Sequence, residues 1–351
     1  MSSSSCELFD RVCHHVCHII PSSVLRKLAL QPGIPTQQRD ALLESADAAS
    51  FARGERTVAR LNGLLLTSPP SALKHRDVFD AGGKKTLPGK LLRTEGGPPV
   101  RNDPAVNEAY DSTGTTYDFY KEILGRNSVD GRGLKIESTV HSGRAPDNAF
   151  WNGSRMVFGD ATVGGPFTGS FTSTIDVVAH ELTHGVTQYT VPNGLDYVDQ
   201  SGALNESWSD VMGSVVKQWL NKQNVNAADW LIGAGLMKAE YGVALRSMKK
   251  PGSAWKEDDQ PGDMKGYVDG GDVHTNSGIP NHAFYLAASG IGGYSWEKAG
   301  RIWYRALSLL SSQASFVDAA KATVDAASAL FGAGGPEAAA VTAAWTKVKV
   351  L

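Results

Sequence analysis

Two histidines four residues apart, with a glutamate beside the first, form His180-Glu181-Leu182-Thr183-His184 inside an apolar-periodic run from Ile175 to Val186. On a helix, residues four apart share a face, so both imidazoles can aim at one metal ion while Glu181 stands next to a water bound there. A catalytic zinc takes a third protein ligand and keeps one position open. Glu206, in the segment Asn205-Glu206-Ser207-Trp208-Ser209-Asp210, supplies a carboxylate for that place from a second helix. Asp210 lies one turn beyond Glu206 on the same face. With Asn205 it is expected to hold a ligand imidazole by its other N–H and so fix the ring's tautomer. The chemistry this set could do is hydrolysis by a metal-activated water, with Glu181 as general base.

A second cluster runs Asp269-Gly270-Gly271-Asp272-Val273-His274. A carboxylate five residues from a histidine across a glycine turn can orient and charge the ring, so Asp269 is expected to make His274 a donor to a developing oxyanion. Standing alone, His274 would read as a structural histidine, and Glu206 and Asp210 as a solvated helix face. The upstream histidine pair changes that balance. The cysteines Cys6, Cys13 and Cys17 fall within the first 17 residues, so no internal disulfide can form in the rest of the chain. Cys13-His14-His15 and Cys17-His18 lack the spacing of a zinc knuckle and read as one small apolar helical face.

These residues need elements to carry them. Residues 1–68 are alanine-rich with leucine punctuation and several prolines, which predicts a small, helical, separable leader. From Asp77 to about Gly169, short alternating runs with frequent glycine predict a mainly β region, broken by a helix near Pro104 to Leu124. After Thr174 the periodicity is helical: Ile175 to Tyr189, Asn205 to Gln218, Asn281 to Ala288, Ser295 to Leu310 and Phe316 to Leu330. The expected organisation is α+β, with a leader over 1–68, a β-rich domain over 69–190 ending in the histidine helix, and an α-helical domain over 191–351.

Composition narrows the function classes. The 34 Lys and Arg against 36 Asp and Glu leave a net charge of −2, too small to draw nucleic acid or an anionic membrane. No apolar run reaches the ~20 residues that span a bilayer. The amino terminus lacks a basic cluster leading into an apolar stretch, so secretion is expected by a route without a recognisable signal peptide, with a cytoplasmic location as the alternative.

The HELTH motif, the GALNESWSD segment from Gly202 to Asp210, Asn148-Ala149-Phe150-Trp151-Asn152-Gly153, Leu245-Arg246-Ser247-Met248 and Val273-His274-Thr275-Asn276-Ser277-Gly278 resemble the thermolysin family of metallopeptidases, in the family's order and over roughly residues 75 to 351. The resemblance implies a two-lobed fold, a β-rich amino-terminal domain and a helical carboxyl-terminal one, with the zinc site in the cleft between them. It implies His180, His184 and Glu206 as zinc ligands, Glu181 as base, and His274, oriented by Asp269, with Tyr197 as oxyanion donors. It further implies that Asn148, Ala149 and Arg246 hold the substrate backbone. Val177 and Leu245 would form part of a hydrophobic pocket selecting a bulky apolar residue on the amine side of the cut bond. The segment from His18 to Leu25 is similar to the short leader of protealysin-like members, departing from it at Ser22 where a second proline is expected. That likeness implies a self-processing precursor whose partners are peptide substrates and its own leader.

The chain departs from the family at the double calcium site. Asp176 and Asp229 match acidic positions, but Lys217, Leu231 and Ala234 stand where partner acids are expected. A lysine brings charge and no oxygen, so Lys217 is expected to pair with the aspartates in place of Ca2+. A zinc aminopeptidase, or an inert binding protein on a protease scaffold, is the alternative reading; the first would need a site for a free amino terminus, the second a lost base or ligand.

Overall fold

The computed structural model describes residues 17–47, 71–144 and 146–351. The segments holding Cys6 and Cys13, and the stretch from 48 to 70 where the leader is expected to end, lie outside the described residues.

The chain begins with β1 (Cys17–His18), α1 (Ser22–Ala29) and α2 (residues 36–47). Cys17-His18, read as part of a helical face, is instead a strand, because its backbone finds an edge to pair with. That edge is β5 (Ala149–Trp151), antiparallel, with His18 opposite Phe150 and Cys17 opposite Trp151. The main sheet adds β2 (Arg76–Asp80), β3 (Lys90–Thr94), β4 (Ile136–Val140) and β6 (Met156–Phe158) in the order β1-β5-β6-β4-β2-β3. The amino-terminal segment therefore occupies one sheet edge.

Between β3 and β4 runs α3 (Pro104–Leu124), started by Asp103, whose carboxylate accepts the Val106 N–H at 3.1 Å, and stopped by Gly125 in the left-handed conformation. It packs on the sheet and against α4 (Ile175–Thr190). The remaining elements are mostly helical: α5 (Asp199–Asn221), α6 (Val273–Asn276), α7 (Gly278–Ile291), α8 (Ala299–Leu307), α9 (Phe316–Phe331) and α10 (Pro336–Lys347), with a short hairpin of β7 (Leu231–Ile232) and β8 (Arg246–Ser247). The α10 helix has no counterpart in the sequence reading, since its alanine run carries little apolar periodicity.

The pairing of α4 with α5 forms the floor of the site. Glycines set how closely it packs. A Cβ on Gly213 of α5 would lie 2.5 Å from the Asp176 carbonyl oxygen, and one on Gly185 of α4 would lie 2.5 Å from Val129 and 3.1 Å from the Trp151 ring. No helix among the described residues is long and apolar enough to cross a membrane.

Candidate metal centre

From α4, His180 and His184 point across to Glu206 on α5, and all three are fully buried. Their ligating atoms lie within 4.8 Å of one another. Each ring is held by its Nδ1. That of His180 meets Asp210 Oδ1 at 2.8 Å; that of His184 meets Asn205 Oδ1 at 2.9 Å and Ser209 Oγ at 3.0 Å. Nδ1 therefore carries the proton, and the lone pairs of both Nε2 atoms face each other only 2.9 Å apart. Glu206 Oε2, 3.4 Å from His180 Nε2, is buried with no hydrogen-bond partner. Two opposed lone pairs and an orphaned carboxylate oxygen fit a divalent cation with nitrogen and oxygen ligands, and zinc above others.

The surrounding charges support this set. Asp210 accepts from Arg246 Nε at 2.8 Å and Nη2 at 2.7 Å, and from Asn281 Nδ2 at 2.9 Å. Burial opposes its charge, yet Arg246 and His180 hold it well below the ordinary carboxylate range. Burial likewise disfavours a charged His180, but Asp210 and Glu206 outweigh it and raise its pKa to about 9, so its Nε2 lone pair is available once a cation takes the place of the proton. Glu181 is different: both oxygens are buried without a hydrogen bond of normal geometry, and that burial pushes its pKa up to about 8. Ser209 and Asn281 were not among the residues expected from sequence. The helical spacing of Ser209 from Asn205 was the available signal for the first; nothing local points to the second.

Facing the histidines, the Tyr197 hydroxyl donates to Glu206 Oε1 and lies 3.3 Å from His274 Nε2. The partner of His274 differs from expectation. Its Nδ1 meets Asp272 Oδ1 at 2.9 Å, while Asp269 is exposed at the Gly270-Gly271 turn. Asp272 also accepts the His274 backbone N–H at 2.9 Å as the N-cap of α6.

The amino-terminal segment threads this cleft. His18 O lies 2.7 Å from His274 Nε2, and Ile19 N donates to Ala149 O at 3.1 Å. Arg246 Nη1 donates to Ile19 O at 2.7 Å. Asn148 accepts from Ile20 N at 3.0 Å and donates to Ile20 O at 2.7 Å. Leu245 lines a small cavity together with Ile19, Ile20 and Trp255, whereas Val177 is buried in the α4 core and is not part of that lining. Away from the cleft, Lys217 Nζ reaches Asp176 Oδ2 at 2.9 Å, Asp229 Oδ1 at 3.0 Å and Leu231 O at 2.6 Å.

A mixed sheet beside a helical domain, with a helix-borne His-Glu-x-x-His pair and a glutamate from the next helix, defines a zinc metallopeptidase. Comparison with known proteins narrows the class. Residues 75–188 match the model for the thermolysin metallopeptidase catalytic domain and residues 193–350 that for its alpha-helical domain. The chain belongs to the thermolysin family and is a zinc-dependent metalloendopeptidase. It is 45% identical over 311 residues, 83% of this chain and 84% of the relative, to an extracellular metalloprotease of Pectobacterium carotovorum subsp. carotovorum. It is 46% identical over 271 residues, 73% of this chain and 72% of the relative, to protease PrtS of a Photorhabdus species. Among solved structures, the precursor of protealysin from Serratia proteamaculans matches with a TM-score of 0.83 and 43% identity, over 95% of this chain and all of that one.

Proposed function

We propose that the chain is a self-processing precursor whose leader lies in the cleft as a peptide substrate would. The observation that carries this is the leader's backbone bonding. His18, Ile19 and Ile20 present successive carbonyls and amides to His274, Ala149, Arg246 and Asn148, as an extended peptide adds to a sheet edge. Chain continues on both sides of the His18 carbonyl, which suits cutting within a polypeptide better than trimming a free amino terminus. With a leader in place the cleft is blocked, so the precursor is silent until the leader is cut, somewhere around residues 50 to 75, and leaves. The division into 1–68, 69–190 and 191–351 follows from this reading.

In catalysis, His180, His184 and Glu206 hold the zinc, whose contribution is Lewis-acid polarisation of the scissile carbonyl and a more acidic water. Glu181 takes the proton of the attacking water and passes it to the leaving nitrogen as the C–N bond breaks. A group with pKa about 8 in the bare site is pulled lower by a cation beside it, which suits a base working near neutrality. Tyr197 and His274 donate to the carbonyl oxygen as it gains charge. Asn148, Ala149 and Arg246 hold the backbone, and Leu245 shapes an apolar pocket for the residue after the cut, where the leader places Ile19. The preference that follows is for a bulky apolar residue on the amine side. Lys217 takes the place of calcium between Asp176 and Asp229, and the extracellular naming of the Pectobacterium relative supports secretion.

The test compares wild type with Glu181→Ala, following leader loss by mass and hydrolysis of a quenched peptide containing Gly-Leu. Wild type should trim and cut, with a zinc chelator stopping both, and the variant should do neither. Equal behaviour of the two proteins would remove Glu181 as the base and the reading with it.

A further inference from the structure

His274 has acceptors at both ring nitrogens. Nε2 faces the His18 carbonyl at 2.7 Å and Nδ1 faces Asp272 Oδ1 at 2.9 Å, so the ring is held between two acceptors. Something must orient that ring, and Asp272 has the geometry to do so. One oxygen, Oδ1, accepts the His274 backbone N–H and its Nδ1–H together, so the carboxylate is fixed relative to the ring by the same residue it serves. The other oxygen, Oδ2, takes the hydroxyl of leader residue Ser23 at 3.1 Å. Loss of the leader frees Oδ2 alone and leaves the bond to the ring in place. Asp269, three residues earlier, is exposed, and Gly270 beside it has φ +64, the left-handed conformation that a glycine adopts readily.

We propose that Asp272 is the positioning residue for His274, taking the part that the sequence pattern gives to Asp269; this rests on the peptide-hydrolysis reading above. Asp272 touches no reacting atom. It acts through the ring, by keeping the Nε2 proton aimed at the place where the carbonyl oxygen gains charge, a charge-assisted bond of the kind that matters more in the transition state than in the ground state.

The variant that separates this from a structural role is Asp272→Ser. A serine hydroxyl still caps α6 through the His274 N–H but is too short and uncharged to hold the ring. Each chain, with leader removed in trans by tagged wild type that is then withdrawn, is assayed in steady state beside Asp269→Asn and Glu181→Ala. Asp272→Ser should lower kcat by about 10- to 100-fold with KM within about twofold, at least tenfold more than Asp269→Asn does, and Asp272→Asn should recover part of the loss. A second reading needs no turnover. In the zinc-loaded precursor, the hydrogen-bonded imidazole N–H of His274, assigned by its loss in His274→Ala, should persist in Asp269→Asn and vanish from proton NMR spectra in Asp272→Ser. An Asp269→Asn loss equal to or larger than that of Asp272→Ser, or an unchanged kcat and N–H signal in Asp272→Ser, overturns the proposal. Retained activity in Glu181→Ala would instead overturn the reading on which it stands.

Discussion

Replacing Lys217 with alanine removes the side-chain cation that the structure places between Asp176 and Asp229. Asp176 is 1% exposed, so its carboxylate would keep only backbone donors, among them Gly233 N at 3.1 Å. Breaking a buried ion pair costs about 3–5 kcal/mol. Asp229 is 43% exposed, and water screens that half of the cluster, which brings the loss to about 2–3 kcal/mol. At about 2 °C per kcal/mol for a chain of this size, Tm should fall by roughly 4–6 °C. Replacing Lys217 with aspartate goes further: it adds a third carboxylate and so builds the oxygen-rich cluster that calcium needs. With Kd of about 1 mM, 10 mM calcium should return about 1.4 kcal/mol to that variant, or roughly 3 °C. The assay is thermal unfolding of the precursor with zinc saturating and calcium stepped from zero to ~10 mM, a range that spans such a weak site. A wild-type Tm that rises several degrees with calcium, reversibly, would show that lysine and calcium are not alternatives, and a Lys217→Ala change under about 1 °C would show that the pair carries no weight.

His141 is clipped by Asp160 at 2.6 Å and Asp103 at 3.2 Å, and the Asp160 bond leads the effects that raise its pKa to about 9. A folded pKa above the ordinary ~6.5 means the stabilisation is complete below pH ~6.5 and fades as pH climbs through 9. His141→Ala should therefore cost about 1–2 kcal/mol at pH 6, after allowance for solvent at a ring that is 27% exposed, and much less at pH 9.5; a urea-unfolding gap that stays constant across that range would contradict it. Tyr197→Phe should lower kcat on the order of 100-fold with little change in KM, because the hydroxyl that donates to Glu206 Oε1 in the structure would serve the charge developing on a bound carbonyl; steady-state kinetics showing a pure KM effect would make it a binding residue. A synthetic leader peptide should inhibit the processed enzyme, and the grip should lie in the cleft. Asn148→Ala, which removes two buried bonds of about 1 kcal/mol each, should weaken it roughly 30-fold. Lys27→Glu in the peptide breaks an exposed pair with Asp259 and should change inhibition only about twofold, so an inhibition series in the reverse order would refute this account.

The helix-borne chemistry was legible because helix periodicity is local. His180 and His184, and Glu206 and Asp210, could be placed on common faces from spacing alone, and α3 near Pro104 to Leu124 from its periodicity. What escaped depends on partners distant in sequence. The segment at Cys17-His18 is a strand only because β5 offers an unpaired edge some 130 residues later, so no local pattern could distinguish it from the helical leader around it. The choice between Asp269 and Asp272 turned on which carboxylate meets the ring, which composition leaves open. Asn281 reaches Asp210 from α7, and no spacing rule links two helices.

The polar residues of α5 give the most direct argument that this is a site and not a scaffold. Asn205, Glu206, Ser207, Ser209 and Asp210 are nearly or fully buried against α4, where apolar side chains would pack at no desolvation cost. Asn205, Ser209 and Asp210 find partners in His180, His184, Arg246 and Asn281. Elsewhere Glu206 Oε2 and the two Nε2 lone pairs converge. A helix interface selected for stability alone would not leave three electron-rich groups facing one point, since each raises the cost of the others. A cation at that point turns the same repulsion into ligation, and the leader, which presents a carbonyl to His274 at its edge, occupies the position from which a peptide would approach it.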